Sequence, residues 1–277
     1  MPADARRLVR KMRGGAQAHL IEASDGHSYV VKFANNPQHR RILVNEWIAS
    51  SFLKYLGISA PETSIISISP EFIAANPEAH LQLGSSRIPP ETGWHFGSRY
   101  PGDPERTVVY DFIPDSLLER VENLNEFAGV LAFDKWMGNA DSRQAIFFRA
   151  RLKDWLPTHE PHGLKMGFVA QMMDHGFVFE GPHWRFSDST IQGLYFRPLV
   201  YQKVRGLADF EPWLSRILHF PEEVVDEAVK ALPPSWIGGD RDALEVLLAR
   251  LLKRRSRVPD LIEDLRRGRV DPFPQWR

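Results

Sequence analysis

The 277-residue sequence contains no cysteine. Disulfides and thiolate metal sites are therefore excluded, and a reducing, cytoplasmic setting fits best. No apolar run is long enough to span a bilayer, and the basic stretch from Met1 to Arg13 has no apolar segment behind it, so it is not a secretory signal. Neither sign of charge predominates, with 35 Lys and Arg against 35 Asp and Glu. The chain thus lacks the net field that would wrap nucleic acid or hold it on an anionic membrane. Its ten histidines include no His-Glu-x-x-His spacing, which removes the main support for zinc hydrolysis. Internal repeats and long low-complexity tracts are missing as well. What remains is 43% hydrophobic and long enough to bury a full core in one large domain or two lobes.

The most informative stretch lies mid-chain. A helical apolar run over Asn125 to Met137 stops at Gly138. Asn139, Asp141, Ser142 and Arg143 follow on a short loop before a strand-like run to Phe148. Polar groups held between two buried elements suit a catalytic constellation. Asn139 can brace the loop or contact phosphates. Arg143 can hold a phosphate or a structural carboxylate.

Toward the N-terminus, His19 to Ala23 and Ser28 to Phe33 are β-prone runs separated by Asp25-Gly26, a hairpin signal. Lys32 projects from the second run, either as an edge-strand lysine or as a site residue. The preceding Gly14, Gly15 and Ala16 let backbone N–H groups approach an anion, although glycine pairs also make ordinary turns. Asn36-Pro37 predicts a helix start and Gly57 its stop. Glu46 falls on or beside the apolar stripe of that helix, where it is either solvated at the margin or buried against a cation. Lys32 is the economical partner.

Thr63 to Ser69 is strand-like, Glu71 to Gly84 predicts a short helix and turn, and Arg87 to Arg106 is a long loop with four prolines and three glycines. Thr107 to Tyr110 predicts a strand. A second short helix is expected over Ser116 to Glu122, with Ser116, Asn123 or Asn125 as caps. Arg149 to Lys165 is a polar insertion, and Met166 to Met172 a strand that leads to Asp174-His175-Gly176. An Asp-x-Gly is usually a turn; behind an apolar strand, it is also where a metal-binding carboxylate can sit. Ser187, Ser189 and Thr190 are hydroxyls on a following loop, open to autophosphorylation. Helices over about 211–219, 221–231, 240–255 and 259–267, the third capped by Asp240, complete the chain. Their basic clusters complement helix C-termini.

Loop, strand lysine and helix glutamate occur in the order of the nucleotide-clamping half of a kinase-like fold. Gly15-Ala16-Gln17, Lys32, Asn45-Glu46-Trp47 running into Leu56-Gly57-Ile58, and Gly138-Asn139-Ala140-Asp141 resemble the HipA-like kinases. These are bacterial serine/threonine kinases, some of them toxins of toxin–antitoxin pairs. The resemblance implies an α+β, two-lobed protein-kinase-like fold, with a β-rich lobe over residues 1–113 and a mainly helical lobe over 114–277. It implies ATP and Mg2+ as cofactors and a protein or small-molecule hydroxyl as acceptor. Gly15, Ala16, Gln17 and Lys32 would meet the phosphates, and the hinge Tyr110, Asp111, Phe112 and Ile113 the adenine. Asp141 would be the catalytic carboxylate, supported by Lys32, Glu46 and Asn139, and Asp174 a metal ligand. HipA itself has a ligating asparagine five residues after that carboxylate, where this chain has Ile146. Gln144 is then the available amide ligand. An antitoxin-like partner is a weaker expectation, because HipA carries an N-terminal subdomain that this chain is too short to include. A nucleotide-binding pseudokinase is the alternative raised by Ile146 and His175.

Overall fold

The structure, a computed structural model, describes residues 2–156 and 163–277. Its first strands are β1 (Ala3–Lys11), β2 (His19–Ala23) and β3 (Ser28–Lys32), followed by helix α1 (Arg41–Leu56) and β4 (Thr63–Ile68). Helix α2 (Pro70–Ala75) and strands β5 (Leu81–Leu83), β6 (Ser86–Ile88), β7 (Gly93–Arg99) and β8 (Val109–Tyr110) come next. The middle of the chain holds α3 (Asp115–Leu118), α4 (Glu126–Met137), β9 (Gln144–Arg151) and β10 (Met166–Met173). Helices α5 (Trp213–Leu218), α6 (Glu222–Lys230), α7 (Pro234–Ile237), α8 (Arg241–Arg254) and α9 (Val258–Arg266) close it.

A closed barrel runs in the order β1-β2-β3-β7-β4, with β5 and β6 as a separate hairpin. Closure is made by a short parallel contact of β1 with β4, Ala3 opposite Ile66 and Asp4 opposite Ser67. Asp25-Gly26 turns β2 into β3 as expected, with Gly26 at φ +80°. The sequence reading missed two barrel strands. Strand β1 has only Ala3, Ala5 and Leu8 facing inward between arginines, which is too little apolar content for a strand signal. Strand β7 lies inside the stretch expected to be a long loop. Its glycines obscure the pattern, yet Gly97 has a packing role: a Cβ there would sit 2.5 Å from Ile66 Cγ1 on the paired strand β4.

Helix α1 begins at Arg41 rather than at Asn36. The Asn36 side chain is spent on a tight turn, donating to Phe33 O and His39 O while accepting from Gln38 N. The helix ends at Gly57, φ +71°, as expected. Asn123 and Asn125 do not cap α4 either; Asn123 exchanges two hydrogen bonds with the backbone of Ala170 on β10. Asp240 makes no side-chain cap on α8, because its carboxylate binds Arg41 at 2.7 and 2.9 Å.

The largest core joins α1 to α4 and the C-terminal helices. Phe52 of α1 stacks on Trp136 of α4 at 5.6 Å, and the Trp136 indole donates to Leu251 O of α8. A second sheet, β10-β9-β8, lies beside this core. Strand β9 takes the first residues of the expected insertion, which ends at Lys165; residues 157–162 lie outside the described residues. Among the described residues, no helix is long and apolar enough to cross a membrane.

One buried barrel group makes stability depend on pH. His95 accepts from Ala34 N at Nδ1 and reaches Glu91 O through Nε2, so the folded chain holds it neutral. Burial lowers its pKa from 6.5 to about 4. Below about pH 6.5 the unfolded chain binds a proton that the folded chain refuses, so stability falls as the pH drops toward 4. Urea unfolding at pH 7 and pH 5 should show this loss, and a smaller one in His95→Gln; equal losses in both chains would contradict it.

Candidate functional site

The end of β3, the middle of α1 and the residue after β10 meet at Lys32. Its ammonium donates to Glu46 Oε1 and, at 2.7 Å, to Asp174 Oδ1, across 142 residues of sequence. Lys32 and Glu46 are buried, and β3 lies between β2 and β7, so Lys32 is not an edge-strand lysine and Glu46 is not a solvated marginal residue. Burial opposes the Lys32 charge, but the two carboxylates outweigh it and hold the amine above the ordinary lysine pKa. The Lys32 charge in turn keeps Asp174 below the usual carboxylate range. Glu46 uses its other oxygen, Oε2, to accept from His175 N. Gly176 permits this approach, since a Cβ there would lie 2.6 Å from Ile42 Cγ2.

Asn45, one residue earlier on α1, is fully buried and does work that the sequence alone did not assign. Its amide donates to the carbonyls of Gly176, Val178 and Gly181 at 2.7 to 3.1 Å and accepts from the Trp184 indole. These bonds hold a segment in which Phe179, Glu180 and Trp184 all adopt positive φ. The available signal was a polar residue inside an apolar helix stripe, which demands partners.

The mid-chain loop rests on a buried ion pair. Arg143 and Asp134 are both fully inaccessible, and Arg143 binds both carboxylate oxygens, through Nε at 2.7 Å and through Nη2. The same guanidinium donates to Met173 O and to the ring Nδ1 of His175, each at 2.9 Å, and so holds the two residues that flank Asp174. Burial and then the Arg143 charge push the His175 pKa well below 6.5, which keeps the ring neutral and able to accept. Of the two options for Arg143, the structural carboxylate is the one realised. Asn139 is also buried and braces the loop, donating to Asp134 Oδ1 and accepting from Asp141 N. Asp141 stays partly exposed, its Oδ1 accepting from Ser142 N.

Gln144 opens β9 with its side chain exposed, and its register partner is Met173, next to Asp174. Ile146 pairs with Gln171 and is nearly buried. The turn of Gly14, Gly15, Ala16 and Gln17 joins β1 to β2. The Gln17 side chain is clasped to the backbone of Gln82, so this loop offers a ligand its backbone. Tyr110, Asp111 and Phe112 are exposed, with Arg197 stacked on Phe112 at 4.5 Å. Ile113 is buried, and Arg197 takes its carbonyl at 2.7 Å. A cavity of about 280 Å³ opens beside Asp141, lined in part by Glu180, Ser187, Ser189, Gln192 and Phe196. Among the described residues, no three His, Asp or Glu side chains form a metal-binding cluster.

Removing one half of the Arg143–Asp134 pair leaves a buried charge uncompensated. Asp134→Ala should cost roughly 3–5 kcal/mol of stability in urea unfolding, and a change within ~0.5 kcal/mol would contradict the pairing.

A family model for HipA-like kinases matches residues 6–146, just over half of the chain, from β1 through the loop at Asp141 to Ile146. Asp174 lies beyond the matched residues. No curated protein matches the chain. Among solved structures it is similar to the Golgi casein kinase with Mn/ADP bound, at 11% identity and a TM-score of 0.51, over 97% of this chain and 73% of that one. It is also similar to hydra Fam20 with sugar, at 12% identity and a TM-score of 0.50, over 97% of this chain and 86% of that one. These likenesses show a protein-kinase-like α+β fold across nearly the whole chain. With the family match spanning the lysine, the helix glutamate and the Gly-Asn-x-Asp loop, this chain belongs to the HipA-like kinase family.

Proposed function

We propose that the chain is an ATP- and magnesium-dependent phosphotransferase that modifies a hydroxyl, on a protein serine or threonine. The observation that carries this reading is Lys32 held between Glu46 and Asp174. A cation fixed beside an anionic ligand position is what a phosphate-binding cleft needs. In the two-lobed reading, the barrel and α1 form the smaller lobe and residues from about 114 onward the larger.

The residues present fit the expected cofactors. Asp174 is ionised, lies at φ +58° after the end of β10, and keeps about a third of its side chain accessible. Magnesium is commonly held by one or two carboxylates together with substrate phosphates, so a full protein cluster is not required. Asp174 would ligate it, and Gln144 is the nearby amide on the paired strand. When bound, the nucleotide and metal supply the phosphoryl group and offset its charge. Lys32 would orient the phosphates, with the backbone of Gly15 to Gln17 covering them and that of Tyr110 to Phe112 near the adenine. Asp141 would accept the proton of the incoming hydroxyl in the cavity at its side. Asn139, being buried, would act by fixing Asp141 rather than by touching phosphate.

The pseudokinase reading is favoured by one observation, the apolar and nearly buried Ile146 at the family's ligand position. Phosphotransfer and ATP affinity in the wild type and in Asp141→Ala separate the two. Loss of a transition-state contact should slow transfer by at least about 100-fold while leaving ATP affinity similar. ATP binding without transfer, unchanged by the substitution, would establish the pseudokinase, and absence of ATP binding would remove both readings.

A further inference from the structure

The hairpin of β5 and β6 stands outside the barrel sheet, against the turn of Gly14 to Gln17. Its base is anchored: Leu81 is buried in the barrel core, and Ile88, its register partner, packs against that core. One step outward Gln82 lies opposite Arg87 and presents its backbone to Gln17. The Gln17 amide takes both polar groups of that backbone, donating from Nε2 to Gln82 O at 2.8 Å and accepting at Oε1 from Gln82 N at 2.7 Å. A side chain thus pairs with the hairpin as a neighbouring strand would. Gln17 lies at φ +50°, in the left-handed region that glycine occupies most easily. Glycine would supply the turn without the clasp, whereas glutamine supplies both and tolerates the strain. The Gln17 carbonyl is held as well, by Nδ1 of the fully buried His19 at 2.9 Å. Gln17 N donates back to Gly14 O at 3.1 Å. Gly14 is at φ +118°, and a Cβ on it would meet nothing within 4 Å, so packing does not restrain it. Fixing Gln17 therefore also fixes the glycine end of the turn.

We propose that the β5–β6 hairpin belongs to the nucleotide site, with Gln17 and Gln82 as positioning residues that set the Gly14–Gln17 loop in its phosphate-covering shape before nucleotide arrives. The proposal rests on the phosphotransferase reading and adds an element to its binding site. Ordering a flexible, glycine-containing loop at the moment of binding subtracts from affinity, and a loop ordered in advance avoids that loss. The clasp uses the side chain of Gln17 and engages neither the Gly15 nor the Ala16 N–H, which stay available to phosphate oxygens. Because the loop meets the phosphates and not the base, its disorder is felt by ATP and not by adenosine.

The test is titration of the full chain with ATP and magnesium, and separately with adenosine, in the wild type, Gln17→Met and Gln82→Pro. Methionine keeps the length of the glutamine without its hydrogen bonds. Proline removes the Gln82 N–H from the hairpin side and leaves the loop sequence intact. Each variant is expected to bind ATP at least about tenfold more weakly than the wild type, and adenosine within about twofold of it. Without nucleotide, trypsin should cut after Arg13, at the entrance to the loop, faster in both variants than in the wild type. Gln82→Pro keeps the test decisive if Gln17→Met fails to fold. ATP bound equally by all three chains, ATP and adenosine weakened alike, or cleavage at an unchanged rate would overturn the proposal and leave the phosphotransferase reading standing. No ATP binding by the wild type would overturn both.

Discussion

The site depends on one ammonium held by two carboxylates. Lys32 comes from the barrel, Glu46 from α1, and Asp174 from the end of β10, so a single charge fixes three elements relative to one another. A lysine buried this deeply without partners would shed its proton. Glu46 in turn would be costly to bury alone, and its second oxygen is satisfied by the backbone of His175. Each member therefore makes the burial of the next tolerable. Of the three, Asp174 keeps the most side-chain surface toward solvent.

The Arg143–Asp134 pair does the equivalent work beneath the Asp141 loop. Asp134 is the last acidic residue of α4, and that helix is anchored by Trp136 against α1 and α8. Through Arg143 the rigidity of the helical core reaches Met173 and His175, which flank Asp174. The middle residue of Asp-His-Gly thus has a defined job: a neutral imidazole that accepts from a buried guanidinium. The two candidate catalytic carboxylates, Asp141 and Asp174, are positioned by one hydrogen-bonded framework, and neither belongs to its buried centre. One member of the framework is left incomplete among the described residues: His175 Nε2 is buried without a hydrogen-bond partner. Asn139 and Asn45 extend the framework at its two ends.

Much of this was legible in the residues. Lys32, Glu46, Asp141 and Asp174 each stand where a periodic apolar pattern ends or is interrupted by a charge, and such interruptions are readable without coordinates. The Lys32–Glu46 pairing followed from the cost of burying a lone carboxylate. The contact of Lys32 with Asp174 and the partnership of Arg143 with Asp134 did not follow, because tertiary register decides which charge meets which. Asn45 was visible only as part of a motif, since a side-chain amide carries no sign that it will bridge three carbonyls. In the fold, β2, β3, β10 and the C-terminal helices gave clear periodicity. Strands β1 and β7 did not, because arginines and glycines replace the apolar alternation where the barrel closes, and closure rather than propensity makes them strands.

The central claim is that Lys32 is held in place in order to bind nucleotide phosphates. Calorimetric titration of ATP with magnesium into the wild type and Lys32→Ala tests it most directly. The account predicts saturable binding by the wild type and at least ~10-fold weaker binding by the variant, a loss of about 1.4 kcal/mol or more. Equal affinity in a variant that remains folded, or no binding by the wild type, would contradict it.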